Sequence, residues 1–448
     1  MFDILKDKKF KISTLGCKVN QYESDAINEI LRAAGCRLAD EAEEADICII
    51  NTCSVTNIAD RKSRQIIHRM RKQNPNAVIC ATGCYVQAVG DKILEDSSVD
   101  LIIGNNRKKD AARIISEYLN KEEITDNYID VNKDPEFENL SIVTPETHTR
   151  AYVKIQDGCN EFCTYCIIPY VRGRIKSKPL LDITAEIDTL AANGTKEIIL
   201  TGINVSAYKD DYKDASTGET KQINLGDVIK RISKIEGIER IRLSSMDPRI
   251  ITKQFLDTVS KLPEFCPHFH LSLQSACNNT LKAMNRKYTI EEYKDACKLI
   301  REYFDRPAIT TDIIVGFPGE TDEDFEDTYK NLTELNLYEM HVFKYSKRKG
   351  TVAEKLPDQV DERIKTERSD RLLKLTAEQK AAFEKAFAGE SQEVLIEEII
   401  EKDGSLFYRG HTMRYILVDI PVTDVVSDGE EAENYINKII TTKMATTK

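Results

Sequence analysis

Three closely spaced cysteines, Cys159, Cys163 and Cys166, stand in the segment DGCNEFCTYC. Thiolates at this spacing can hold three irons of a [4Fe-4S] cluster and leave the fourth iron open for another ligand. The alternatives are chance clustering or a zinc knuckle, which usually needs a fourth Cys or His that this segment lacks. Because the segment directly follows an apolar stretch typical of a strand, the spacing predicts a catalytic iron–sulfur cluster.

Three further cysteines, Cys17, Cys53 and Cys84, occur in the segments TLGC, NTC and TGC, each at the end of a predicted strand. The carboxyl ends of parallel strands meet at one edge of a sheet, so we expect these three to converge. Three thiolates without a neighbouring His favour a second iron–sulfur cluster over zinc. The other six cysteines are expected to be structural: Cys36, Cys48, Cys80, Cys266, Cys277 and Cys297.

The elements that must position these cysteines begin with a parallel α/β sheet. Short apolar runs alternate there with helical stretches, and the run at 46–52 is apolar enough to be buried on both faces. We predict strands at 10–16, 46–52, 77–83 and 101–104, with helices at 20–34, at 57–73 and up to about 119.

A second α/β series starts near residue 149, and six strands that alternate with helices predict a partial (β/α)6 barrel. The strands are predicted at 151–156, 197–202, 240–245, 268–273, 309–316 and 340–346. The helices are predicted at 182–193, 225–235, 250–261, 291–304 and 321–335.

A charged helix at 361–388 is followed by short apolar runs between Gly and Asp turns. This pattern predicts a small five-stranded antiparallel β-barrel of the oligonucleotide-binding kind. The polar stretch before the second series has weak periodicity and reads as a linker. The predicted domains are therefore 8–120, a linker at 121–147, 148–375 and 376–440.

The composition is that of a soluble globular protein, with 41% hydrophobic residues and a net charge of −11. No stretch approaches the roughly 18–20 consecutive apolar residues of a membrane span, and MFDILKDKKF lacks the apolar core of a signal peptide. We therefore expect a cytoplasmic protein with no membrane partner. In a reducing compartment, grouped cysteines bind metal more often than they form disulfides.

Four segments together resemble the radical-SAM methylthiotransferase family over nearly the whole chain: TLGCKVNQYES, NTCSV, GCYVQ and CNEFCTYCIIPYVRGR. The first is most similar to the branch that acts on threonylcarbamoyladenosine in tRNA. The resemblance implies two [4Fe-4S] clusters, an auxiliary one at Cys17, Cys53 and Cys84 and a radical-SAM one at the other triplet. It also implies S-adenosyl-L-methionine (SAM) on the open iron and a C-terminal RNA-binding barrel of the TRAM type.

The resemblance further implies which residues contact SAM. LTGINV departs from the usual Gly-Gly-Glu at the segment that receives the amino group, so backbone atoms are an alternative source of that contact. A Ser or Gln at a strand end is often only a turn cap, which is the structural alternative for each assignment. The candidate SAM-binding residues are Thr201, Gly202, Asn204, Ser245, Asp247, Gln274, Arg286, Ile314, Val315 and Gly316.

The implied reaction inserts a methylthio group at C2 of N6-threonylcarbamoyladenosine next to the anticodon. An aromatic C–H has no acidic proton, so the cofactor radical does the chemistry and no protein side chain is expected to be catalytic. The implied partners are the tRNA anticodon stem-loop and an electron donor such as flavodoxin or ferredoxin. The alternatives are isopentenyladenosine in tRNA, an aspartate of a ribosomal protein, or a non-catalytic RNA-binding metal-cluster protein.

Because the net charge is negative, RNA contacts must come from local basic groups, although such groups are as often solvated surface. Candidates are Arg61, Lys62, Arg64, Arg69, Arg71 and Lys72; Arg172, Arg174, Lys176 and Lys178; and Lys344, Lys347, Arg348 and Lys349. In the acidic C-terminal segment, a small RNA-binding face is predicted from Tyr408, Arg409, His411, Arg414 and Tyr415. The alternative is that this segment packs against the core.

Overall fold

The computed structural model describes residues 2–144, 149–213, 218–426 and 431–444. The chain begins with a parallel α/β unit. Its elements are β1 (Lys9–Thr14), α1 (Lys18–Ala33), β2 (Arg37–Leu38), β3 (Ile47–Thr52), α2 (Asn57–Gln73), β4 (Val78–Gly83), α3 (Cys84–Val89), β5 (Leu101–Ile103) and α4 (Ala111–Leu119). The strands form one parallel sheet in the order β2-β1-β3-β4-β5.

This sheet is buried on both faces, as the apolar run of β3 predicts. Ile49 and Ile47 pack with α1 and α4 on one face, whereas Cys48 and Ile50 pack with α2 and α3 on the other. The alternation along β3 therefore divides its side chains between two cores. The four predicted strands are confirmed, while the two-residue β2 and the short α3 were not predicted.

A six-stranded partial barrel follows. Its elements are β6 (Arg150–Lys154), β7 (Gln156–Asp157), α5 (Ile168–Val171), β8 (Lys176–Ser177), α6 (Leu180–Ala192), β9 (Glu197–Thr201), β10 (Lys209–Lys213), β11 (Thr220–Asn224), α7 (Leu225–Ile232), β12 (Arg240–Leu243), α8 (Lys253–Val259), β13 (His268–His270), α9 (Asn278–Ala283), α10 (Ile290–Tyr303), β14 (Ala308–Val315), α11 (Asp322–Leu335), β15 (Glu339–Lys344) and α12 (Glu362–Lys385).

Parallel pairing runs through this barrel in chain order. One sheet has the order β12-β9-β6 and a second has the order β13-β14-β15. Parallel bridges from Ile241 to Phe265 and from Met246 to Leu271 join the two. In the described residues β6 and β15 do not pair, so the barrel is open, and the predicted partial barrel is confirmed.

The segment between these two units has neither helix nor strand over 120–144, and residues 145–147 of the predicted linker lie outside the described residues. It is nevertheless packed against the barrel, because Leu140 and Ile142 are buried in the barrel's hydrophobic core. The antiparallel hairpin of β10 and β11 was not predicted, since its charged, exposed strands lack an apolar face.

The chain ends in an antiparallel sheet with the order β18-β17-β16-β19. Its strands are β16 (Ser391–Lys402), β17 (Ser405–Thr412), β18 (Leu417–Pro421) and β19 (Ile439–Lys443). The predicted antiparallel C-terminal module is confirmed, although the described residues form four strands and not five. The register of β16 shifts between Ile396 and Glu398. An irregularity of this kind bends a strand and so allows the sheet to curve.

This C-terminal sheet closes the barrel at the amino ends of its strands. Arg240, the first residue of β12, donates to the carbonyl oxygens of His411 and Glu393 at 2.8 and 2.9 Å. Arg242 donates to the carbonyl oxygen of Met413 at 2.9 Å. The loop after β17 is therefore held by buried guanidinium groups of the barrel.

The predicted C-terminal RNA face is largely used for packing, which was the alternative interpretation. Tyr408 is buried and donates to the Ala432 carbonyl oxygen. His411 is hydrogen-bonded to Glu397, and Arg414 donates to the carbonyl oxygens of Asp305 and Arg306. These long-range partners cannot be read from the local composition of the segment.

Buried charges join the N-terminal unit to the barrel. Glu23 of α1 is fully buried and lies 2.9 Å from Lys154 Nζ, 3.1 Å from Lys108 Nζ and 3.2 Å from Arg172 Nη2. Burial alone raises the pKa of Glu23, but the charges of Arg172, Lys108 and Lys154 together hold it well below its usual range. The carboxylate is therefore ionised and balances cations from both units.

Replacing Glu23 by Gln leaves these three buried cations without their shared carboxylate. We expect Glu23→Gln to lower the free energy of unfolding by about 3–5 kcal/mol, measured by urea denaturation, with the exposed Glu44→Gln as a control. Because the folded pKa lies below the unfolded value of about 4.3, the stabilisation persists at neutral pH and is lost only in acid. Equal stability of the two variants at pH 7 would contradict this role.

Candidate active site

Cys17, Cys53 and Cys84 lie at the carboxyl edge of the N-terminal sheet. Cys53 and Cys84 follow β3 and β4 directly, and Cys17 is the third residue after β1. The structure brings the three together as the strand pattern predicted. Burial raises the pKa of Cys53 to about 11, with the neighbouring Cys84 and Cys17 adding to the shift. Gly16 has a φ of +104°, and a Cβ there would stand 2.8 Å from the Cys53 Sγ atom. Only glycine allows this close approach.

Hydrogen-bond donors surround these three sulfurs. Backbone N–H groups of Val19 and Asn20 face Cys17, where they favour the thiolate by lowering its pKa against the effect of burial. The Arg172 Nε atom donates to the Cys84 sulfur at 3.3 Å. A three-thiol set with charged and backbone donors fits a cluster that carries negative charge.

Cys159, Cys163 and Cys166 lie on the loop between β7 and α5. Thr164, inside this loop, is held by the Met284 carbonyl oxygen at 3.1 Å and by the Ala353 N–H at 2.8 Å. Burial raises the pKa of Cys166 to about 12, and the adjacent Cys163 and Cys159 raise it further. The three thiols are therefore close together on an anchored loop.

The two cysteine sets are neighbours. Ile167, the residue after Cys166, packs in one apolar cluster with Cys84 and Val171. The Asn105 amide donates to the Val171 carbonyl oxygen at 2.7 Å and so adds a polar contact at this junction. One short helix, α5, thus separates the two groups of thiols.

Two predicted SAM-binding residues lie beside the second cysteine set. The Arg286 Nη1 atom donates to the Cys163 sulfur at 3.3 Å, and its Nη2 atom lies 3.8 Å from the Asp247 carboxylate. Asp247 also pairs with Arg249, which reaches Glu161 of the cysteine loop at 2.7 Å. This charged group connects the loop to the carboxyl end of β12.

The other predicted SAM-binding residues lie at different sites. Thr201, Gly202 and Ser245 line the central cavity, whereas Asn204 lies with Asp247 on a neighbouring surface depression. Gln274 follows β13 with a left-handed φ of +72°, and its N–H bonds to the Asp312 carbonyl oxygen.

On β14, the predicted adenine-contacting residues do not share one face. Thr310 and Asp312 point into the cavity, so the alternation places Ile314 on the same face. Val315 is buried in the outer core of the barrel wall. The Gly316 N–H donates a hydrogen bond to the Glu320 carboxylate at 2.9 Å. Any contact from Val315 must therefore come from its backbone.

A polar cavity of about 360 Å³ occupies the barrel interior. The N-terminal unit borders it on one side and Tyr415 of the C-terminal sheet lies at another end. It is lined by Gly16, Cys17, Lys18, Val19, Thr201, Gly202, Ser244, Ser245, His268, His270, Thr310, Asp312, Glu339, His341 and Tyr415. All three parts of the chain therefore contribute to one chamber.

The cavity wall contains residues that the sequence analysis did not select. His270, Asp312 and His341 bring their side-chain N and O atoms within 4.8 Å of one another. The His270 Nε2 and Asp312 Oδ2 atoms are 3.3 Å apart. The sequence does carry a signal for this wall, because each of β13, β14 and β15 has one pair of polar residues two positions apart, at 268/270, 310/312 and 339/341.

The end of the cavity at Tyr415 is surrounded by aromatic rings and cationic side chains. The Tyr415 ring stacks on His411 and His268, with centroid distances of 4.3 and 5.1 Å, and lies under Arg242 and Arg150. Burial together with the charge of Arg242 holds the pKa of His268 well below its usual range, so this ring is neutral.

Lys18 reaches the same chamber from the cysteine side. Burial and the charges of Arg242 and Arg150 lower its pKa to about 8. The ammonium form therefore still predominates at neutral pH.

The fold and the sequence both match known proteins. Residues 153–332 match the model of the radical SAM superfamily, and residues 9–104 match that of the uncharacterized protein family UPF0004. Among solved structures, the radical S-adenosylmethionine methyltransferase TsrM from Kitasatospora setae aligns with a TM-score of 0.53 and 12% identity, over 75% of each chain. The open barrel with its three-cysteine loop thus has a radical-SAM fold, and this superfamily implies a [4Fe-4S] cluster and SAM.

Relatives define the family more closely. Threonylcarbamoyladenosine tRNA methylthiotransferase MtaB from Bacillus subtilis is 37% identical over 96% of this chain and 92% of its own length. The protein of the same name from Aquifex aeolicus is 39% identical over 87% of this chain and 93% of its own length. The tRNA-2-methylthio-N(6)-dimethylallyladenosine synthase of Thermodesulfovibrio yellowstonii is 38% identical over 93% of both chains. The chain therefore belongs to the radical-SAM methylthiotransferase family, as its motifs predicted.

In the described residues, no helix combines the length and the apolar character that a membrane crossing requires.

Proposed function

We propose that this chain is a tRNA methylthiotransferase that acts at C2 of N6-threonylcarbamoyladenosine next to the anticodon. The observation that carries the proposal is the adjacency of two three-thiol sets, one of which reaches the cavity through Cys17. Cys84 packs against Ile167, beside Cys166, and Cys17 lines the cavity with Thr201. Relatives named for threonylcarbamoyladenosine tRNA support the choice of base.

Each three-thiol set is proposed to hold its own [4Fe-4S] cluster. When bound, the cluster at Cys159, Cys163 and Cys166 supplies the electron for reductive cleavage of SAM, and the second cluster presents the sulfur to be transferred. The donor sets support this assignment, because each provides three free thiols, the number that leaves one iron of a [4Fe-4S] cluster open.

The chain's own side chains are proposed to hold SAM against the second cysteine set. Arg286 binds the carboxylate of SAM, since its guanidinium already faces the Cys163 sulfur and Asp247. Asp247 and Ser245 then face the ribose hydroxyls. The remaining proposed contacts are Thr201, Gly202 and Asn204 for the amino group, Gln274, and Ile314, Val315 and Gly316 for the adenine.

For the substrate, the chain's task is to orient one base and exclude competing hydrogen donors. The adenine C2–H offers no acidic proton, so no general base is required at that carbon. Tyr415 and Cys17 both line the cavity, and the base is proposed to enter on the Cys17 side. The proposed domains remain 8–120, 148–375 and 376–440, with 121–147 as linker.

The anticodon stem-loop is proposed to contact a basic surface beside this entrance. Arg61 and Lys62 of α2 are exposed, as are Lys347 and Lys349 of the loop after β15. The Asn57 amide donates to the Lys347 carbonyl oxygen, so these two segments are adjacent. Phosphate attraction by such groups does not depend on sequence. An electron donor such as flavodoxin or ferredoxin is the other proposed partner.

Other predicted basic residues have structural partners. Arg172, Lys176 and Lys178 are buried, and Lys178 lies 2.6 Å from Glu186. Arg348 is also buried and pairs with Asp60 at 2.6 Å. Burial therefore withdraws three of the four residues of the second basic group from the surface, whereas the fourth, Arg174, is exposed.

The direct test is product analysis. Anaerobically reconstituted protein, SAM, a reductant and a sulfide source are incubated with tRNA from a strain that lacks the gene, and the nucleosides are identified by mass spectrometry. We expect the 2-methylthio form of N6-threonylcarbamoyladenosine. Modification of isopentenyladenosine alone, or of a ribosomal-protein aspartate alone, would contradict the proposed substrate.

Glycine 16 offers a test of the first cysteine set. In Gly16→Ala the new Cβ would meet the Cys53 sulfur, so we expect displacement of this ligand and loss of the iron bound by that set. Gly194→Ala is a matched control, because Gly194 also has a positive φ, of +89°, but has nothing within 4 Å of the added Cβ. Iron is counted after anaerobic reconstitution. Equal iron content in the two variants would contradict the assignment.

A further inference from the structure

Lys18 is the only lysine or arginine among the residues that line the central cavity. It directly follows Cys17 as the first residue of α1 and is half-buried. Within the described ranges it makes no ion pair with a carboxylate. Its half-buried ammonium group, in direct contact with no described carboxylate, can therefore pair with an anionic group of a bound molecule.

The other charges near the cavity already have partners. Arg242 pairs with Glu197 at 2.7 Å, and Arg150 pairs with Glu397 at 2.9 Å. Of the carboxylates that line the cavity, Glu339 pairs with Lys380 at 2.7 Å. Asp312 faces His270 at 3.3 Å. Among the described cations at the cavity, Lys18 is therefore the one whose charge remains available to a bound molecule.

The two candidate bases differ in the chemistry that Lys18 would meet. The N6-threonylcarbamoyl substituent carries a carboxylate, a hydroxyl group and the N–H groups of a urea. The dimethylallyl substituent is uncharged and apolar, and it would leave the ammonium desolvated without a partner. A wall of His270, Asp312 and His341 likewise suits a substituent with several hydrogen-bonding groups.

We propose that Lys18 determines substrate specificity by pairing its ammonium group with the carboxylate of the N6-threonylcarbamoyl substituent. His270, Asp312 and His341 face the neutral hydroxyl and urea atoms of the same substituent. The inference rests on the proposed function, since it requires the modified adenine to enter this cavity. It assigns a role in recognition, and no covalent step passes through Lys18.

The test combines variants of the protein with variants of the substrate. Lys18→Met removes the charge at similar length, Lys18→Arg keeps it, and the exposed Lys298→Met is a control. Each is assayed on an anticodon stem-loop RNA that bears threonylcarbamoyladenosine or its uncharged methyl ester. Iron content reports whether the neighbouring Cys17 site has survived each substitution.

For Lys18→Met we expect an about 10- to 100-fold lower kcat/KM on the acid substrate, mainly through KM, with wild-type iron content. Wild-type protein should lose the same factor on the ester, and Lys18→Met should show no further loss there. Lys18→Arg should recover most of the activity on the acid, and Lys298→Met should behave like wild type on both substrates.

Equal use of acid and ester by the wild-type protein would overturn the role of Lys18 while leaving the proposed function intact. If Lys18→Met loses iron and the wild-type protein uses acid and ester equally, Lys18 is needed for the cysteine site and not for recognition of the substituent. Failure of the wild-type protein to methylthiolate either RNA would instead overturn the proposed function and this inference together.

Discussion

The active-site arrangement depends on the buried guanidinium of Arg172. It donates to Glu23 and, at 2.6 Å, to the side-chain oxygen of Asn20, both on α1 of the N-terminal unit. Within the barrel it lies 3.2 Å from Asp157, and its Nε atom reaches the Cys84 sulfur. A buried cation is stable only when its donors are matched, so this residue sets the position of one unit against the other. Both cysteine sets border the resulting junction.

The chamber follows from this docking. The carboxyl edge of the N-terminal sheet presents Cys17 and Lys18, the barrel strands supply a polar wall, and Tyr415 forms the far end. One acidic residue of the C-terminal sheet has a role there, because Glu397 neutralises Arg150 beside the cavity. A module expected to bind RNA thus also completes the cavity in which the base is proposed to react.

Local patterns in the sequence were sufficient to predict the strand ends and the convergence of Cys17, Cys53 and Cys84, since parallel pairing aligns such ends. They failed where a partner is distant in sequence. Lys178 was assigned to an RNA-binding group because its partner, the Leu140 carbonyl oxygen, lies in the predicted linker. Tyr415 and His411 were assigned to a surface for the same reason. His270, Asp312 and His341 were not selected, because polar residues two apart on a strand identify a cavity wall only when the strands are known to surround a cavity.

The central claim is that two separate iron–sulfur sites serve one reaction, and iron counting with a SAM-cleavage assay tests it most directly. Wild-type protein and the triple variant Cys17→Ala/Cys53→Ala/Cys84→Ala are reconstituted without oxygen. The account predicts about eight irons per wild-type chain and about four in the variant, which still cleaves SAM but transfers no methylthio group. About four irons in both proteins would contradict it, because the first cysteine set would then hold no cluster.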